Sequence, residues 1–171
     1  TRFEGIGALL GMAFSFLVLF KFILPQILGG SDPIFSVMIG AAFIIPVTFY
    51  LSHGFSRKTN IAIFSTLLTL VVTSILALIF AKTGNLTGLA SEEASFLQLT
   101  SQANINFQGL VLAGMILSTL GILDDVTISQ ASIVQELIKA KPSIKFRELY
   151  KSAMNVGRDH IASLINTLIL V

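Results

Sequence analysis

Residues 107–137 read FQGLVLAGMILSTLGILDDVTISQASIVQEL. An uncharged apolar run, Phe107 to Leu123, meets two adjacent carboxylates, Asp124 and Asp125, and the stretch after them, Val126 to Leu137, holds neither Pro nor Gly. A helix needs roughly 20 mostly apolar residues to cross a bilayer. An acid within or beside such a helix is costly and marks a functional site by default. Two readings of the pair follow. In one the helix ends at Leu123 and the acids cap it at the membrane surface. In the other it continues and carries them inside. Phe107 to Asp125 covers about 27 Å at 1.5 Å per residue, against a hydrocarbon core of about 30 Å, so length leaves both open.

Periodicity separates the two acids. At about 100° per residue, Asp125 shares a stripe with Gly114, Ser118, Gly121, Ser129, Ser132 and Glu136. A polar stripe around an acid suits a helix facing a protein interior or a wet path, although Ser and Gly are also ordinary packing residues between membrane helices. Asp124 is turned away from that stripe, and adjacent helical residues do not share a face. The pair is therefore poorly placed as a catalytic dyad, and no other apolar block holds an acid in its core.

Composition agrees with a membrane chain. Of 171 residues 54% are hydrophobic and 12% charged, with a mean hydropathy of +0.87; a soluble domain is about 25% charged. The absence of Cys excludes a disulfide, an iron–sulfur cluster or a thiolate site within these residues. The apolar residues fall in blocks: Ile6 to about Leu28, Ile34 to Leu51, Ile61 to Ala81, the block from Phe107, and a run from near His160. The first carries Gly7 and Gly11 in a GxxxG pair that can seat a close neighbour. Asp32 before Pro33 reads as a helix cap. Ser91-Glu92-Glu93 followed by Phe96, Leu97 and Leu99 reads as a short amphipathic helix at the interface. Residues 137–159 form a basic connection broken at Pro142, with Ser143 as cap of a short helix through about Asn155.

The fold expected is an all-α polytopic transmembrane bundle of about five crossings, the fifth incomplete, forming a single transmembrane domain over 1–171 of a longer protein. Assigning Arg2, the 52–60 loop and the 137–159 connection to one side gathers nine of the eleven Lys and Arg there. The positive-inside rule then puts the N-terminus in the cytoplasm. His160, Ser163 and Thr167 share a face with Asn166 beside them; His160 is either a solvated interfacial side chain or a partner of the acids. His53 reads as a solvated loop residue. Two distant His and two adjacent Asp make no metal pattern, and no phosphate loop or nucleophile elbow is present.

Several stretches resemble the YibE/F-like bacterial membrane proteins. They are Ser52-His53-Gly54-Phe55-Ser56-Arg57-Lys58-Thr59, Leu86-Thr87-Gly88-Leu89 with Ser91-Glu92-Glu93, Gly121 to Val126 with Ser129-Gln130-Ala131-Ser132, and Gly157 to Ser163 with Asn166-Thr167-Leu168. The resemblance implies a topology rather than a reaction. An acid after a Gly-rich apolar run, followed by a cytoplasmic connection and re-entry, is also similar in order to the core of the proton-driven RND exporters and SecD/SecF. Helices 1 and 2, however, are joined by only a few residues, and no membrane-core Lys or Arg pairs with the acids. That likeness is fold-level analogy.

The function expected is a transporter or permease component of the bacterial cytoplasmic membrane, proton-coupled through Asp124 and Asp125, with Ser129 and His160 beside them. Ser118, Gln130, Asp159 and Asn166 are secondary candidates. The rival is a non-catalytic scaffold or partner subunit whose acids form a structural cap. No enzymatic role, no catalytic residue, no metal, no cofactor and no nucleic-acid partner is expected; the partners are the lipid bilayer and further membrane subunits or copies of the chain.

Overall fold

A computed structural model describes residues 2–89, 96 and 105–169, those at 2–4 and 167–169 by backbone alone. The described elements are all helical: α1 (Arg2–Val18), a π-helical turn (Leu19–Ile23), α2 (Leu24–Leu28), α3 (Pro33–His53), α4 (Arg57–Thr83), α5 (Phe107–Ala140) and α6 (Phe146–Ile169). Four helical stretches among them are long and apolar enough to cross a membrane: Gly5–Leu28, Pro33–His53, Arg57–Thr83 and Phe107–Ala140. Their outward faces carry Phe16, Phe35, Phe43, Phe64 and Phe80, each more than half exposed. Such faces suit hydrocarbon, and helices suit it because they satisfy their own backbone.

Local chemistry fixes the helix starts. The Asp32 carboxylate accepts from the Phe35 N–H at 2.9 Å, the Ser56 hydroxyl from Thr59 at 3.1 Å, and the Asn106 side chain from Gly109 at 2.9 Å; each satisfies an otherwise orphaned N–H. The first apolar block is one helical path with a widened turn. Pro25 has no N–H, and its ring would strike the carbonyl four residues back. The chain answers with the π turn, in which the Leu24 N–H bonds to Leu19 O.

Helix α3 is the centre of the bundle, with α1, α4 and α5 packed on it. Ile23, Val37, Ile45, Leu70 and Ile116 form the innermost apolar layer. Gly7 meets α3 so closely that a Cβ there would collide with the Leu51 carbonyl oxygen, and one at Gly11 would lie 3.4 Å from Thr48. The expected GxxxG contact is thus made, and its partner is α3. Between α4 and α5 the Thr66 and Thr127 hydroxyls lie 2.6 Å apart. At one end of the bundle Asp32, Lys82 and Asn106 line a common cavity; at the other, Ser52 and His53 lie beside Asp124, Asp125 and Ile128.

Two expectations change. The short helix through about Asn155 and the separate run from His160 are one continuous helix, α6, since nothing between Phe146 and Ile169 breaks it. It starts after Lys145, whose carbonyl accepts from Leu149 N–H, so Ser143 is not its cap. Neither half of α6 is among the four long apolar stretches. The interfacial segment expected at Ser91 to Leu99 falls outside the described residues, apart from Phe96.

Candidate functional site

The acids sit inside one unbroken helix. α5 runs 34 residues from Phe107 to Ala140, about 50 Å at 1.5 Å per residue, and stops where Lys141 precedes Pro142. The reading in which the helix ends at Leu123 is therefore set aside. Asp124 and Asp125 lie midway along α5 yet near the loop end of the apolar bundle, because they stand beside Thr48, Ser52 and His53 of the last turns of α3. The rest of α5 runs past the end of α3, beside the first turns of α4, and carries α6. There the Gln130 amide donates to Ala153 O at 3.0 Å, and Gly157 lies so close that a Cβ would meet the Gln130 side chain at 2.5 Å.

Which acid faces inward differs from the stripe reading. Asp124 is half-buried, its Oδ1 fully so and without a protein partner. Asp125 is exposed, as are Gly114, Ser118 and Gly121 on its stripe; a Cβ at Gly114 or Gly121 would meet open space. The face buried in the bundle instead carries Leu112, Ala113, Ile116 and Leu120. Polarity fails to mark the inner face because the hydroxyls satisfy themselves: Ser118 donates to Gly114 O at 3.0 Å, and Ser132 to Ile128 O at 2.8 Å. Such back-bonding leaves Ser free to face any surroundings.

Asp124 stands where two hollows meet. One, of about 160 Å³, is polar and lies at the loop end, lined by Thr48, Ser52, His53, Asp124, Asp125 and Ile128. The other, of about 300 Å³, is an apolar crevice floored by α3 and walled by α1 and α5; Asp124 closes its loop-side end. His53 therefore belongs to the acids' surroundings, which its reading as a loop residue missed. Register arithmetic would have found it: α3 and α5 start level, with Gly109 beside Pro33, so residues some 17–20 positions into each helix stand side by side.

The remaining candidates disperse. His160 lines neither hollow, and its buried Nε2 has no hydrogen-bond partner. It belongs to α6, which docks on α5 at Gln130, about 120° around the helix from Asp124. Gln130 is thus a tether for α6. Ser129 is half-buried outside both hollows, and Asp159 and Asn166 are exposed. Among the described residues no three His, Asp or Glu converge as a metal set.

No curated protein and no solved structure matches the chain. The family model described as YibE/F-like protein matches residues 1–171, which is the resemblance read from the 52–59, 121–132 and 157–168 stretches. By that match over its full length, the chain belongs to the YibE/F-like family of proteins.

Proposed function

We propose that the protein is a permease component of the bacterial cytoplasmic membrane in which Asp124 takes up and releases a proton. One observation carries this reading: a buried carboxylate oxygen with no protein partner at the junction of a polar hollow and an apolar crevice. A buried polar atom left unsatisfied is costly, and a proton or a ligand relieves that cost. An acid that exchanges either between two compartments has the minimum equipment of a coupled carrier. The basic connections 52–60 and 137–159 support a cytoplasmic position for the acids' end of the bundle. The reading assigns the chain no enzymatic reaction, cofactor or nucleic acid.

The test uses the full-length protein in proteoliposomes. A hydrophobic carbodiimide, which attacks protonated carboxyls, should modify Asp124, with modification falling as pH rises. Asp124→Asn should abolish proton flux across the vesicle wall, and Asp125→Asn should keep most of it. Normal flux in Asp124→Asn would rule out the relay.

A scaffold role draws on a different observation. The Gly114–Ser118–Gly121–Asp125 stripe faces outward with open space at both glycines, a surface on which a helix of another subunit or a second copy can pack closely. Cross-linking through Cys at position 118 reads that contact directly.

A further inference from the structure

The apolar crevice between α1 and α5 has one uncommitted polar group. Its wall includes two hydroxyls, and both are engaged by their own helices: Ser15 donates to Gly11 O at 3.0 Å, and Thr48 to Ile44 O at 2.9 Å. No Lys, Arg or His lines it. What remains is an apolar channel of about 300 Å³ past Phe16, Leu19, Ile44 and Leu120, at the lower end of the size range of small-molecule sites. Asp124 closes its loop end, a carboxylate whose Oδ1 is buried without a protein partner. Gly121 leaves the α5 wall open, since a Cβ there would touch nothing. Phe16 and Met12 on the opposite wall are more than half exposed, so the crevice opens sideways, onto the face that suits lipid.

We propose that this crevice binds a lipophilic monovalent cation, its apolar body between α1 and α5 and its ammonium-type head against the Asp124 carboxylate. Charge complementarity selects this occupant. A single acid in an apolar wall repels an anionic head, and it gives a neutral tail nothing that the bilayer lacks. A cation and a proton would compete for the same carboxylate, so the inference rests on the reading of Asp124 as the exchanging acid and names what it exchanges for.

The probe is radiolabelled decyltrimethylammonium, bound at equilibrium to the full-length protein in lipid nanodiscs, with empty discs subtracted. Saturable binding is expected, weakening as pH falls, competed by other alkylammonium ions and not by decyl sulfate, which has the same tail and the opposite charge. Asp124→Asn and Gly121→Leu, the second filling the crevice with the acid intact, should each weaken binding by about tenfold or more. Gly114→Leu, on the same exposed stripe but outside the crevice, should bind as the parent does. Equal binding in the parent and Asp124→Asn, equal competition by decyl sulfate, or no saturable binding would overturn the proposal. Carbodiimide modification of Asp124 without any cation would still stand in those cases, so failure of the ligand inference is distinguishable from failure of the proton relay.

Discussion

Gly7 is the residue at which the bundle has least tolerance. Its would-be Cβ meets backbone, the Leu51 carbonyl, which cannot swing aside as a side chain would. Gly7→Val should therefore push α1 from α3 and cost about 1–3 kcal/mol, read as a lower thermal midpoint in detergent. Gly5→Val, with nothing within 4 Å of its Cβ, should leave the midpoint unchanged. The GxxxG spacing offered this contact in the sequence, but glycine is common in membrane helices, and only the close approach of α3 distinguishes the pair from chance. The inward acid was not legible. Choosing between Asp124 and Asp125 required knowing which side of α5 meets α3, and polar residues that bond back to their own helix do not say. A Cys at 125 should react freely with a water-soluble maleimide added to the loop side, while one at 124 should react slowly. The reverse order would mean that Asp125, not Asp124, faces the bundle.

At the scale of elements, two polar contacts decide how α5 is held. The Thr66–Thr127 pair joins it to α4: one hydroxyl donates to the other at 2.6 Å, while the accepting one gives its own proton back to its helix, to Ala62 O or to Leu123 O. A double-mutant cycle with Thr66→Val and Thr127→Val should give a coupling of about 0.6 kcal/mol, with about 1.7 as a ceiling, the range measured for such bonds in membranes. The Gln130–Ala153 bond holds α6 against the projecting end of α5. Gln130→Ala should cost about 1 kcal/mol, read as faster hydrogen exchange over 146–160 with α1 to α4 unaffected. Helix starts were legible wherever a short polar residue stood before an apolar run, as at Asp32. The continuity of α6 was obscured because composition changes from basic to apolar near His160 while the helix runs on through Gly157. Composition reports surroundings, not the path of the chain.

For the whole molecule, the alternation of connections was legible because bilayer length and charge act on entire segments. The loop 52–60 and the 137–159 stretch both lie toward the acids' end, and Lys82 lies at the other with Asp32. Cys probes at 58 and 145 should label from the cytoplasmic face of intact cells' membranes and a probe at 82 from the opposite face; a split between 58 and 145 would break the proposed topology. What the sequence withheld is the relative height of helices. Asp124 is central in its own helix yet level with the end of α3, because α5 overshoots α3 by about a third of its length while α4 runs on beside it.

The π turn at Leu19–Ile23 has a consequence for how this chain tolerates change in length. Val18 and Ile23 are both buried on the bundle side, although five residues of ordinary α-helix would set them about 140° apart. The wide turn absorbs one residue and keeps both halves in register. Deleting a single residue from Leu19–Phe22 should therefore close the wide turn to ordinary α-helix, leaving Val18 and Ile23 four residues and about 40° apart, with Gly7 and Gly11 still against α3 and Phe16 still in its wall of the crevice. A one-residue deletion there should thus leave the packed face of α1 intact, whereas the same deletion within Met12–Leu17, outside the wide turn, should rotate Gly7 and Gly11 by about 100° away from α3 and be as damaging as losing the close contact itself.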